Sequence, residues 1–156
     1  MASGFLLDAL RAVDLDRASH LHREAFEPMG ERGWTRQDIA GLLASPWVSG
    51  FLLTEGASDI GMAICRVVAD EAELLTVAVD PAHRRRGAGR LLLGAVIDRV
   101  RSDGAQALFL EVAADNPGAR SLYELLGFAD AGRRAGYYAR RGQPAVDGFI
   151  MRLNLS

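Results

Sequence analysis

The chain has one cysteine, Cys65, in 156 residues, so no disulfide within the chain can staple it. Cys65 lies in an alternating apolar stretch and is expected to pack as a small hydrophobe. No apolar run approaches the roughly 20 residues that cross a bilayer. The N-terminus, Met-Ala-Ser-Gly-Phe-Leu-Leu-Asp, has no basic segment ahead of a long apolar one, so no signal peptide is expected and a cytoplasmic protein is the simplest reading. Histidine is scarce: His20, His22 and His83. The first two stand two apart on an expected helix and point to different faces. No carboxylate–histidine spacing makes a ligand set, so no protein-bound metal is expected. Excess positive charge is also missing. The net charge is −2, whereas nucleic-acid-binding domains carry a basic footprint. The runs Arg84-Arg85-Arg86, Arg133-Arg134 and Arg140-Arg141 therefore read first as solvated. Repeats, low-complexity tracts and linkers are lacking, and residues 1–156 read as one domain.

What is present is an ordinary globular composition, 49% hydrophobic and 24% charged. A short strand is expected over about 4–10. Asp14 or Asp16 opens a helix through about Glu27, with Ala18, Leu21 and Ala25 inward. Thr35 caps a second helix from Arg36 to about Ala44, stopped by Ser45-Pro46. Strands follow over about 49–54, 60–68 and 71–79. Leu93, Val96, Ile97 and Val100 mark one face of a third helix. Residues 106–113 read as a buried strand. Asn116, with Pro117 at the first helical position, caps a fourth helix carrying Ala119, Leu122, Tyr123 and Leu126 inward, and Gly127 ends it. Strands over about 128–138 and 146–154 complete an order β-α-α-β-β-β-α-β-α-β-β. The expected class is α/β in the α+β sense: a mixed, mostly antiparallel sheet of about seven strands with about four helices packed on it.

The segment HRRRGAGRLLLGAVIDRV, residues 83–100, is the most informative. It has three readings: a solvated charged turn, a nucleic-acid patch, or a cradle for a phosphorylated ligand. A strand, a turn with Gly87 and Gly89, and a helix directly after bring free N–H groups and the positive end of a helix dipole to one place. Glycine lets backbone approach a phosphate, and arginine adds forked donors. That combination suits a pyrophosphate. The lysine-bearing phosphate-loop pattern is absent. The dinucleotide fingerprint fails as well, because Leu92 stands where its third glycine belongs.

VAVDPAHRRRGAGRLLL resembles the acetyl-coenzyme-A motif of the GNAT acetyltransferases, Arg/Gln-x-x-Gly-x-Gly/Ala, here Arg84-Arg85-Arg86-Gly87-Ala88-Gly89. LFLEVAADNPGARSLYELLGF resembles the later part of the same family, and with DEAELLTVAVDP the likeness covers about a third of the chain. Within the family the chain is similar to the RimI-type ribosomal-protein-alanine N-acetyltransferases, through Asp70-Glu71-Ala72, Leu110-Glu111-Val112, Asn116, Leu122-Tyr123-Glu124, Gly127-Phe128, Arg133-Arg134 and Tyr137-Tyr138. Residues 26–50, FEPMGERGWTRQDIAGLLASPWVSG, depart from that pattern on what is the acceptor side in the family.

The resemblance implies acetyl-CoA as co-substrate, seated in a V-shaped splay between the two middle parallel strands, and direct transfer to a primary amine in a ternary complex. Arg84, Arg85, Arg86, Gly87, Ala88, Gly89 and Arg90 would anchor the pyrophosphate. The backbone of Val77 and Val79 would pair with the pantetheine arm, and Asn116 would serve as helix cap and hydrogen-bond donor to it. Tyr123 would be the general acid for the leaving thiolate; periodicity alone makes it core. Glu111 would be the base, acting through a water. Read from its surroundings, it is a carboxylate in an apolar strand, costly unless paired or used. Glu73, near the start of the preceding strand, is the rival base. Tyr137 and Tyr138 would wall the acceptor groove.

For the acceptor, the implied candidates are a protein N-terminus, on a ribosomal protein, or a small amine such as a polyamine, amino acid or drug. A non-catalytic acetyl-CoA-binding module is the remaining alternative. Nucleic acid and membrane are not expected as partners, and the expected state is a monomer or weak homodimer. An α-amine has a pKa of ~7.7–8.0 and is neutral in roughly one molecule in ten at pH 7, against about one in 2,500 for a lysine at ~10.4. A single base suits the former. A peptide acceptor requires an open groove between residues 26–50 and 133–145, and a closed polar or acidic pocket suits a small amine.

Overall fold

The computed structural model describes residues 4–156. Seven strands and four α-helices follow one another in the expected order: β1 (Phe5–Ala9), α1 (Leu15–Phe26), α2 (Arg36–Leu43), β2 (Val48–Glu55), β3 (Ser58–Val68), β4 (Glu71–Val79), α3 (Ala88–Ser102), β5 (Ala107–Ala113), α4 (Pro117–Leu125), β6 (Ala129–Arg140) and β7 (Gln143–Asn154). They form one mixed sheet in the order β1-β2-β3-β4-β5-β7-β6. Its middle pair, β4 and β5, is parallel; the flanking pairs are antiparallel.

The helix ends follow from local chemistry. Thr35 accepts from the Asp38 amide while Asp38 accepts from the Thr35 amide, a reciprocal cap on α2. The Asn116 side chain accepts from the Ala119 amide, and Pro117 fills the first position of α4, where no N–H is needed. The strands of the last hairpin run longer than the apolar pattern predicts. Arg140 and Gln143 still pair across a turn at Arg141-Gly142, although Arg-Arg-Gly-Gln-Pro carries no apolar alternation.

Each face of the sheet carries its own core. On one face α3 buries Leu92, Leu93, Val96 and Val100 against Leu53, Ala63, Cys65, Leu108 and Leu110. The Cys65 thiol is buried here, its pKa pushed up to about 11 by burial, so it packs as an inert hydrophobe as expected. On the other face α1 and α2 bury Leu15, Ala18, Leu21, Ala25 and Ile39 against Leu52, Met62, Ile64 and Ala78.

The central irregularity is a bulge in β4. Cys65 pairs with Leu74 and Ile64 with Thr76, leaving Leu75 as an extra residue. A bulge bends its strand and reverses the alternation beyond it. Ala72 and Leu74 join the α3-side core, whereas Thr76, two residues on, meets α1 instead. Parallel pairing with β5 ends at Glu73 and Phe109. Beyond that point β4 has left its neighbour, and a gap opens in the middle of the sheet.

Candidate functional site

The gap is the floor of a cleft of about 1130 Å³, larger than a compact metabolite needs and suited to an elongated ligand. Leu74–Val79 line it from β4, Glu111, Val112 and Ala113 from β5, and the N-terminal turns of α3 and α4 from one side. The α1–α2 connection and Tyr138 of β6 line it from the other.

At the α3 end the backbone has the features that suit an anion. Arg85 (φ 64°) and Gly87 (φ 82°) both take the left-handed conformation, which turns the chain sharply into the helix. The first amides of α3 have no partner within the helix and carry the positive end of its dipole. Arg84, Arg85, Gly87, Ala88, Gly89 and Arg90 line the cleft. Arg86 does not: its guanidinium is held by both oxygens of Glu55 at 2.9 and 2.7 Å and stacks 4.9 Å from the Phe5 ring. It fastens the turn to β2 and β1.

Two ionisable groups face the gap from opposite sides of the sheet. Leu108, Leu110 and Val112 belong to the α3-side core, so Glu111 points to the α1 side by alternation. Its Oε1 lies 3.1 Å from Nε of Arg134, and its Oε2 is buried with no hydrogen-bond partner among the described residues. The half-buried carboxylate is thus paired through one oxygen, and the other acceptor oxygen remains unpaired in the cleft wall. Tyr123 of α4 is buried in the α3-side core, edge-on to Phe128 at 5.7 Å. Burial pushes its hydroxyl up to about 12, so the phenol holds its proton at neutral pH.

The cleft wall away from α3 and α4 is built around Tyr138 and Arg140. Tyr138 lines the cleft, and its hydroxyl is pushed up by burial and then by the charges of Glu111 and Glu31. Arg140, its side chain buried, reaches Asp115 at 2.8 and 2.7 Å and Glu31 at 3.3 Å. Burial holds the Glu31 carboxyl above the usual range, with Arg140 opposing. A Cβ on Gly30 (φ 84°) would stand 3.0 Å from the Arg141 amide nitrogen. The 26–50 and 133–145 segments therefore touch at this point. Tyr137 is half exposed, edge-on to Tyr138 at 5.1 Å, and does not line the cleft. Glu73 pairs with Arg66 at 3.2 Å at the closed end of the gap, also outside the lining. Arg133 is bound to Asp147.

Glu31, Arg32, Trp34, Thr76 and His22 also line the cleft, none of them foreseen from the sequence. Only His22 had a signal: it shares the inward face of α1 with Ala18 and Ala25. It stacks on Trp34 (4.5 Å, 13°) and packs on Phe26 (4.4 Å). Burial, then the charge of Arg32, lowers its pKa to about 4, with Asp38 opposing. An unfolded histidine titrates near ~6.5. Between about 4 and 6.5 the unfolded chain binds more protons, so stability is full above that window and falls as pH drops through it. Urea unfolding across this range is expected to show a steeper fall for the wild type than for His22→Gln. Equal slopes would contradict a neutral buried His22.

Residues 15–128 match the model of the Acetyltransferase (GNAT) family. The chain belongs to the GNAT acetyltransferase family. As a GNAT protein it is an acyltransferase enzyme, of a family that uses acetyl-CoA. It is 36% identical over 154 residues to the [Ribosomal protein bS18]-alanine N-acetyltransferase of Escherichia coli strain K12, covering 96% of this chain and 97% of that protein. The crystal structure of the ribosomal-protein-S18-alanine N-acetyltransferase from Escherichia coli superposes with a TM-score of 0.88, covering 97% of this chain and 94% of that one. The fold recurs in Arabidopsis thaliana NAA60 in complex with acetyl-CoA, with a TM-score of 0.83 at 18% identity, covering 97% and 98% of the two chains. The mixed seven-stranded sheet with its parallel middle pair is therefore the GNAT sheet that the resemblance implied. The α3 turn fits the CoA pyrophosphate: positive-φ backbone, free amides and three arginines face one end of an elongated cleft.

Proposed function

We propose that this GNAT enzyme transfers the acetyl group of acetyl-CoA to the N-terminal α-amine of a protein, with a ribosomal protein as the acceptor class. The observation that carries the reading is the pair Glu111 and Tyr123, facing one gap from opposite faces of the sheet. The relatives' acceptor, as named above, supports the choice of an α-amine.

Acetyl-CoA, when bound, supplies an activated thioester. The residues of this chain do the rest. Backbone amides at Gly87–Arg90, with Arg84, Arg85 and Arg90, hold the pyrophosphate. Asn116 faces the pantetheine arm from the start of α4. Beyond Glu73 the backbone edge of β4 is released from β5, and the amides of Val77 and Val79 are available to pair with that arm and to polarise the thioester carbonyl. Glu111 takes the proton that the amine sheds as its nitrogen bonds to the carbonyl carbon, directly or through a water, on its unpaired Oε2. Tyr123 gives its proton to the sulfur as the carbon–sulfur bond breaks; its raised pKa keeps that proton in place beforehand. Tyr138 walls the acceptor on the Glu111 side, with Tyr137 packed behind it. We take the chain to act as one domain, as a monomer or weak homodimer. A ribosomal acceptor puts the reaction in the cytoplasm.

A small-amine acceptor is the second reading, favoured by the Glu31–Arg140 contact that joins the two acceptor walls. Comparing kcat/KM for a peptide beginning with alanine and for spermidine separates the two. The α-amine reading expects the peptide to be the better substrate. Turnover of spermidine with none of the peptide would move the function to the second reading.

A further inference from the structure

His22 and Thr76 form a buried pair in the acceptor-side wall that acid–base chemistry at Glu111 and Tyr123 does not use. Their hydrogen-bond directions are fixed by chemistry. The Trp34 backbone N–H points at His22 Nδ1 at 3.0 Å and can only donate. Nδ1 therefore accepts, and the ring proton sits on Nε2. Nε2 lies 3.1 Å from Thr76 Oγ1, so histidine donates and threonine accepts. The aromatic rings of Phe26 and Trp34 hold the imidazole in this orientation. Thr76 is left with its hydroxyl proton to give, and no hydrogen bond among the described residues takes it. A buried hydroxyl without an acceptor is costly. Thr76 is the residue directly after the bulge, where β4 has left β5. It projects from the same face of the sheet as Glu111, and both line the cleft.

We propose that Thr76, oriented by His22, is a specificity-determining residue that donates its hydroxyl hydrogen bond to the carbonyl oxygen of the acceptor's first residue. This rests on the α-amine reading. An N-terminal residue carries a carbonyl beside its amine; a lysine side chain or a polyamine does not. A donor fixed on the amine side of the gap therefore selects α-aminoacyl acceptors over alkyl amines. Thr76 touches the substrate, and His22 is a positioning residue that acts through it.

The test uses a peptide beginning with alanine and an analogue whose first carbonyl is reduced to a methylene, each compared as variant against wild type. Thr76→Val keeps the shape and removes the donor. It is expected to raise KM for the peptide about tenfold, the loss of one hydrogen bond, with a smaller change in kcat and no change for the analogue. Thr76→Ser and His22→Gln keep the two donors and are expected to stay near wild type; His22→Phe is expected to behave as Thr76→Val. An unchanged peptide KM in Thr76→Val overturns the proposal. So does an equal loss on both substrates, or a shift in KM for acetyl-CoA instead. If the wild type acetylates no peptide, the α-amine reading itself fails and this proposal falls with it.

Discussion

Glu111→Gln is expected to lower kcat for peptide acetylation by about 10²–10⁴-fold, the usual contribution of a positioned base. The amide keeps the size of the side chain and an oxygen for Arg134, which now sits 3.1 Å from Oε1. What it loses is proton affinity at the position of Oε2, the buried oxygen with no partner. Folding should not suffer, because the amide keeps the volume of the side chain and the lost ion pair is to a half-exposed Arg134. Affinity for acetyl-CoA should hold, since the anchoring groups we propose are at α3. Steady-state kinetics with calorimetric titration of acetyl-CoA reads both. A kcat within threefold of wild type would take the base role away from Glu111. Glu73 would be a poor replacement, half exposed and paired with Arg66 outside the cleft.

Gly87→Val together with Gly89→Val is expected to weaken acetyl-CoA binding by about a hundredfold or more. That corresponds to losing two hydrogen bonds to a charged group at ~1.5 kcal/mol each. The two positions fail for different reasons. Gly87 has φ 82° with nothing within 4 Å of its would-be Cβ. Valine there meets no protein atom but strains the left-handed backbone by about 1–3 kcal/mol and tilts the first amides of α3. At Gly89 a Cβ would stand 3.1 Å from Leu122 Cδ2, so valine pushes α3 and α4 apart at the cleft mouth. A modest drop in melting temperature should accompany the loss, since the rest of α3 is anchored by four fully buried side chains. Unchanged affinity by calorimetry would sink the phosphate-cradle role of the turn.

What the sequence made legible was local. Thr35, Asn116-Pro117 and Gly87 announce helix ends because their chemistry acts within a few residues, and the inward stripe of α3 follows from helical period alone. The bulge at Leu75 was harder to read. In EAELLTVAV the apolar parity switches at Leu74–Leu75, from Ala72 and Leu74 to Val77 and Val79, but apolar Ala78 keeps the old parity and blurs the switch into one continuous apolar run. Without it, Thr76 cannot be put beside His22, nor the gap located beyond Glu73. The ion pairs that shape the site, Arg134–Glu111 and Arg140 with Asp115 and Glu31, join residues far apart in sequence. Arginine runs read as solvated until the sheet brings β6 alongside them. The same holds for Arg86: identical in type to Arg85, it is turned away by a partner, Glu55, on another strand.

One peptide that begins with a free alanine and carries a lysine further on decides whether transfer is to an α-amine at the Glu111 side of the β4–β5 gap. The enzyme and acetyl-CoA are added, and the acetylated position is read by fragment mass. A single acetyl group on the α-amine is expected. Acetylation at the lysine, with the α-amine left free, would rule out α-amine transfer.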